Sequence, residues 1–292
     1  MNNHMIKRTA LFALFNTAML IIFFNPLKEL LLSSSHNELY SHIILVPFIS
    51  GYLLYMRRRE LGLHAAYSYV PGALVMLTGI VLSVVGRNVR PGLGQNDYLS
   101  IMTSAAVVFL LGSFLVCYGV RAFKGALFPL LFLFFVVPVP AVIMDRLIYS
   151  LQSWSAEVSY GFFKLAGIPI VREGLVFHLS GITVEVAREC SGIRSTLVLF
   201  LLGIISSALF LETWRAKAVL LLLLFPLAIF KNSLRIVTLS LLGSYADKAW
   251  VETSPLHRKG GFVFFLAAMA VFGIILWLLS RWESRQNQQS AL

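Results

Sequence analysis

The run AVLLLLLFPLAIFKNSLRIVTLSLLG, residues 218–243, decides the fold class. It exceeds the roughly 20 apolar residues needed to cross a hydrocarbon layer, yet its second half carries Lys231, Asn232 and Arg235. A central Lys or Arg costs about 2.5–3.5 kcal/mol on insertion scales, against about −0.3 to −0.6 for each Leu. The apolar stretch 219–225 offsets that cost but does not account for it. A charge inside a membrane span marks a functional site by default. Asn232 and Arg235, three positions apart, share one helix face.

The rest of the chain has the same character. Of 292 residues, 58% are hydrophobic and 13% charged, and mean hydropathy is +0.82. A soluble core cannot hide that much apolar surface, so the solvent is a bilayer and membrane lipid is a partner. The net charge of +11 does not point to nucleic acid, because the basic residues sit in small groups between apolar runs, as topology signals do. Two cysteines are too few for a disulfide framework.

Apolar segments of spanning length fall at roughly 8–25, 39–56, 70–86, 98–118, 122–143, 195–212, 218–243 and 261–280. The second and third are short. The first starts with Lys7 and Arg8, as a signal peptide does, but no A-x-A site precedes Asn25-Pro26, so it reads as a retained anchor. The expectation is an all-α polytopic membrane protein of about eight transmembrane helices, one integral-membrane domain over 1–292. With the N-terminus in the cytoplasm, the inner loops hold Lys7/Arg8, Arg57-Arg58-Arg59, Arg121/Lys124, Arg215/Lys217 and Arg281/Arg285. The outer connections are longer and mix acids with bases, which suits eight spans with both ends inside; seven spans fit the charges less well.

The connection between the fifth and sixth spans is long. MDRLIYSLQSWSAEVSYGFFKLAG, from 144 to 167, has apolar residues at helical spacing and reads as an amphipathic helix lying along the outer membrane interface. IPIVREGLVFHLSGITVEVA then turns β-branched, with turn signals at Arg172-Glu173-Gly174 and Ser180-Gly181. A hairpin or pair of short strands is expected. It delivers the chain to VARECSGIRS, residues 186–195.

Cys190 therefore falls at the outer mouth of the sixth span, Lys231, Asn232 and Arg235 in the outer half of the seventh, and His257 just before the eighth. A lone cysteine in a membrane helix is ordinarily a small apolar filler, and Cys117 reads that way. Cys190 differs because Arg188 and Arg194 flank it near a helix N-terminus, where a thiolate is stabilised. Arg235 reads either as a snorkelling structural arginine or as a functional charge. His257, beside Arg258-Lys259, reads either as a solvated basic group or as a catalytic one. The other histidines read as structural.

Several chemistries are missing. There is no HExxH, no G-x-S-x-G, no S-x-x-K and no glycine-rich phosphate loop. The aspartates Asp97, Asp145 and Asp247 all fall in connections, which excludes a paired-aspartate intramembrane protease. Cysteine chemistry remains, with no metal or cofactor expected.

The chain resembles the exosortase/archaeosortase family of membrane-embedded sorting enzymes. The resemblance rests on YSHIILVP at 40–47, PVP at 138–140, GIPIVREG at 167–174, ECSGIRS at 189–195, KNSLRI at 231–236 and the H-x-x-G from His257 to Gly260. It implies a bacterial-type enzyme whose catalytic cysteine, arginine and histidine fall on Cys190, Arg235 and His257. No extra C-terminal domain of the kind carried by some exopolysaccharide-linked members is expected. The implied partners are exported proteins ending in a sorting signal: a short motif such as PEP, a transmembrane helix and a basic cluster. The implied reaction is cleavage on the outer face of the cytoplasmic membrane through a Cys thioester, then transfer to an unknown acceptor nucleophile. Asn232 would orient Arg235 or the peptide, with Arg194 supporting.

Two other classes compete. In a polysaccharide-export or transporter component, Lys231, Arg235 and Arg194 would line a path for an anionic glycan; against it, a transport path needs polar lining through the inner half as well. A noncatalytic scaffold for an envelope assembly would tolerate loss of Cys190.

Overall fold

Within a bilayer every main-chain N–H and C=O must be satisfied inside the chain, so long apolar runs fold as helices. The computed structural model of the chain describes residues 3–36, 38–63, 66–245 and 255–290. Among these, seven helices are long and apolar enough to cross: Met5–Ile22, Leu39–Met56, Tyr69–Gly92, Gln95–Gly125, Arg188–Phe210, Trp214–Tyr245 and Gly261–Gln286. The bent pair Leu127–Val136 and Ala141–Leu165 supplies an eighth if it counts as one span. The protein is an all-α polytopic membrane protein with one small sheet, in two compact units, Met1–Met144 and Asp145–Leu292.

In the first unit, α1 (Asn3–Ile22) is followed by α2 (Phe24–His36), most of which lies between the first two apolar segments of the sequence. Pro26 does not prevent this: in the first turn, the N–H it lacks has no intrahelical partner anyway. A 3-10 turn leads into α3 (Leu45–Met56), then α4 (Arg58–Leu63). The tightest pair is α5 (Tyr69–Val89) against α6 (Gln95–Gly125). Gly72, Gly79 and Gly86, seven apart, are all buried on α5. A Cβ at Gly72 would lie 2.6 Å from Val116 N, and one at Gly112 2.5 Å from Met76 N. Small residues let the two backbones approach, the usual way helices associate where lipid removes the hydrophobic drive.

The expected fifth span, 122–143, is not one helix. Helix α6 runs on to Gly125, α7 covers Leu127–Phe132, a 3-10 turn covers Leu133–Val136, and Pro138 and Pro140 then stop the helix. The residue before a proline is pushed to extended backbone, and Val137 has φ −75°, ψ 122°. Polar side chains hold this break. Ser100 donates to Pro138 O at 2.6 Å, and Asn96 donates to Val139 O at 2.8 Å while accepting from Tyr40 at 2.6 Å. Asp97, in the first turn of α6 rather than in a connection, accepts from Ala141 N at 2.7 Å, where α8 (Ala141–Leu165) begins.

From Asp145 onward α8 belongs to the second unit. It is one helix, as expected. Its buried side mixes Ile148, Leu151, Ala156 and Phe163 with Gln152, Ser155 and Ser159, and its exposed side mixes Leu147, Tyr149, Trp154 and Leu165 with Asp145, Arg146 and Glu157. The strands that follow make a three-stranded antiparallel sheet rather than a single hairpin: β1 (Val171–Glu173), β2 (Val176–Leu179) and β3 (Ile182–Glu185), in that order. Two-residue turns at 174–175 and 180–181 join them, with Gly174 at φ 62° and Gly181 at φ 90°. Tight hairpin turns require such positive φ values. The buried side chains Phe177, Leu179 and Val186 pack on Ala156 and Phe163 of α8 and on Ile236 and Val237 of α10 (Trp214–Tyr245).

Helix α9 (Ile193–Phe210) packs on α10, and α11 (Pro255–Ser290) packs on both. The far end of α11 is tied down by Glu283, only 4% exposed. Its carboxylate accepts from the N–H of Glu212 at 3.0 Å and of Thr213 at 2.7 Å, and from the Thr213 hydroxyl. A carboxylate at the start of α10 satisfies donors that the first turn leaves open.

Candidate active site

Cys190 closes a 3-10 turn, Arg188–Cys190, between the sheet and α9. Its N–H donates to Ala187 O at 2.9 Å, and that of Ser191 to Arg188 O at 3.1 Å. Gly192 follows at φ 73°, a left-handed conformation that costs other L-residues about 1–2 kcal/mol. A Cβ there would stand 2.8 Å from Asn232 Oδ1. Backbone and space both ask for glycine. Ser195 and Thr196 donate back to Gly192 O at 3.0 and 2.9 Å. This reversal leaves Cys190 half-buried, just ahead of the α9 N-terminus.

Helix α10 supplies the opposite wall. Asn232 is 2% exposed, and its Nδ2 donates to Cys190 O at 2.9 Å and to Ser155 Oγ at 3.0 Å. The asparagine therefore holds the cysteine turn itself, where the sequence suggested that it orients Arg235 or a peptide. One turn below Arg235, the ammonium of buried Lys231 donates to Ser195 Oγ and ties α10 to the first turn of α9. Helix α8 closes the back: Gln152 donates to Val186 O at 2.6 Å, and Ser233 of α10 donates to Ser155 O at 3.0 Å.

Cys190 and Arg235 line one cavity of about 120 Å³, together with residues 183–186, Ile236 and Leu239. Pockets for drug-sized ligands run about 300–1,000 Å³, so this one suits a short stretch of chain or a single small group. The expected flanking cations act elsewhere. Arg188 pairs with Asp145 at 2.6 Å, with both side chains more than half exposed, and Arg194 is exposed in the first turn of α9, outside the cavity lining. His257 lies in the first turn of α11, and its side chain is outside the described residues. Among the described residues, no group of three or more His, Cys, Asp or Glu is placed to hold a metal ion.

A thiol and a guanidinium facing one small cavity beside a strand is an arrangement suited to attack on a peptide carbonyl. The sequence as a whole matches the transmembrane exosortase family over residues 33–285. The chain belongs to that family. No curated protein and no solved structure matches it. As an exosortase it is a multi-pass membrane protein of a family that processes exported proteins carrying sorting signals.

The sequence of this exosortase singles out Cys190, Arg235 and Asn232 but not the residues that hold them. Gly192 had a local signal, a glycine two places after the thiol. Ser155 and Ser159 had one too, a small-residue face at helical spacing in α8. Gln152 and the cavity-lining residues 183–186 had none, because their roles exist only once this stretch meets α8 and α10.

Proposed function

We propose that this exosortase is a cysteine peptidase and transpeptidase that cuts the C-terminal sorting signals of exported proteins. It sits in the cytoplasmic membrane with both termini in the cytoplasm and its site on the outer face. The reading is carried by one observation, the shared cavity of Cys190 and Arg235.

Cys190 as thiolate attacks the scissile carbonyl carbon. The C–S bond forms, and the carbonyl oxygen takes up negative charge beside the Arg235 guanidinium. An oriented donor at that oxygen is typically worth about 10²–10³ in rate. The C–N bond then breaks, and the amine leaves with a proton that His257 supplies, having taken it from the thiol. The product is a thioester on Cys190. An acceptor nucleophile attacks that thioester and releases the thiol; water gives hydrolysis, another nucleophile gives transfer. Asn232 keeps the Cys190 carbonyl fixed, so the sulfur meets the substrate in one orientation.

The test is a co-expressed reporter ending in a PEP motif, an apolar helix and a basic cluster, followed by its molecular weight. The native chain should shorten it and Cys190→Ala should not. Shortening by Cys190→Ala would sink the cysteine mechanism and favour the transporter or scaffold reading.

A further inference from the structure

The sheet beside Cys190 has an open side. In the order β1-β2-β3, strand β3 pairs with β2 alone. Its residues 183–185 and Val186, which follows directly, are consecutive, yet all four border the cavity. Successive side chains of a strand point to opposite faces, so four in a row can line one cavity only along the strand's edge. The β2 edge is taken, so the cavity runs along the free edge of β3, with Cys190 and Arg235 on the same cavity.

The main-chain groups on that edge follow from the register. Val186 N–H donates to Leu175 O at 2.9 Å, and the pairs run 185 with 176, 184 with 177, 183 with 178 and 182 with 179. Antiparallel pairs alternate between bonded and non-bonded. Val186, Val184 and Ile182 therefore bond to β2, while Thr183 and Glu185 turn their N–H and C=O to the free edge. Ala187 N–H takes the Glu185 carbonyl at 2.9 Å. The Thr183 N–H, Thr183 C=O and Glu185 N–H remain on the cavity edge with no partner among the described residues.

From this geometry we infer that the substrate binds as an added strand. An extended stretch of the exported protein, next to its scissile bond, pairs main chain to main chain with Thr183 and Glu185 of β3, and the pairing delivers the scissile carbonyl to Cys190. Strand addition draws affinity from main-chain hydrogen bonds and leaves specificity to alternate side chains. It also explains why a site with so little enclosed volume suffices: the chain lies along an edge instead of filling a pocket. Arg235 and Leu239 of α10 form the far wall of the slot. The inference rests on the peptidase reading, and its test is separable from it.

The test is disulfide trapping in the full-length membrane protein. In a Cys190→Ala, Cys117→Ala background, Thr183→Cys places a thiol on the exposed side of β3, and Val171→Cys places one on the far edge strand β1. The partner is the same PEP-motif, helix and basic-cluster reporter, with single cysteines stepped one residue at a time through the segment before its apolar helix. Strand addition gives cross-linked product from Thr183→Cys at the one reporter position that lies opposite it and at most at those two residues away, with none at the positions between and none from Val171→Cys. Cross-linking at every position, equal cross-linking from both edges, or none from Thr183→Cys would overturn the added strand. Because the trap lacks Cys190, its result stands apart from the cleavage test: an enzyme that cuts only with Cys190 but never traps at Thr183 keeps the peptidase reading and loses this one.

Discussion

Asn232 Nδ2 donates to the main-chain carbonyl of Cys190 at 2.9 Å, from the same helix that carries Arg235 one turn further on. The proposed nucleophile and the cation facing it are thereby referenced to one rigid element. The N-x-x-R spacing along α10 sets the distance from the fixed cysteine turn to the guanidinium. An enzyme that must meet a developing oxyanion with a positioned donor gains from such a shared reference, since small misplacements of reacting groups are costly in rate.

Asn232→Leu should therefore reduce cleavage without preventing insertion. It strips a donor from the buried Cys190 carbonyl and from Ser155 Oγ, a loss of about 1–3 kcal/mol for an unsatisfied buried group. Expressed fully in the reactive geometry, that is a drop of roughly five- to 150-fold. The rate of reporter shortening, normalised to enzyme in the membrane fraction, measures it; a native rate would remove Asn232 from the machinery.

Gly192→Ala should be more damaging than its size suggests. It combines the cost of φ 73° with a Cβ 2.8 Å from Asn232 Oδ1, so it strains the turn and displaces the asparagine together. Gly161→Ala in α8, where a Cβ would meet nothing within 4 Å, is the control, and there alanine favours the helix by about 0.5–1 kcal/mol. Reporter shortening should be lost in the first variant and kept in the second. Equal activity in both would mean that the Gly192 turn does not set the cysteine.

The two thiols should differ in reactivity. Cys190 is half-buried on a cavity, and Cys117 is fully buried within α6. A membrane-impermeant thiol reagent applied from outside should label Cys190 and spare Cys117, as mass shift of the intact protein would show. Labelling of Cys117 alone would put the site on the wrong thiol.

Arg235→Lys keeps one positive charge and loses the planar fork of donors. With an oxyanion donor worth about 10²–10³ in rate, cleavage should drop by that order while reagent labelling of Cys190 persists. A drop in labelling equal to the drop in cleavage would show that the arginine shapes the turn instead of the transition state.

What the sequence made legible follows from what is local. Span positions came from runs of apolar residues, and most fall within a few residues of the helices. Cys190, Asn232 and Arg235 stood out because polar groups in or beside a span are costly. The fifth segment misled because apolarity at 122–143 is continuous; what breaks it is Pro138 and Pro140, fixed by Asn96, Asp97 and Ser100 from α6, and such long-range partners leave no periodic trace. Likewise Arg188 was read as a cation for its neighbour in sequence, but Asp145, distant in sequence, claims it. The third strand escaped because Val171–Glu173 is only three residues long, below the length at which alternation shows.

The same fifth segment decides which side of the membrane the site faces, and that is the last prediction. Leu127–Val136 holds ten helical residues at most, roughly 15 Å against a hydrocarbon layer of about 30 Å. It crosses only in combination with α8; otherwise it enters and leaves on one side. Crossing gives eight spans and puts the Arg215/Lys217 and Arg281/Arg285 clusters in the cytoplasm with Arg57-Arg58-Arg59. Not crossing gives seven, sends both later clusters outside, and turns Cys190 toward the cytoplasm. Short loops rich in Lys and Arg are retained on the cytoplasmic side, so the charges favour crossing. Reporters fused after Arg59 and after Lys217 should both read cytoplasm, and one within 165–185 should read outside. An outside signal at Lys217 with a cytoplasmic signal at Arg59 would mean that the segment is re-entrant, and an enzyme acting on exported proteins at the outer face could not then be built on Cys190.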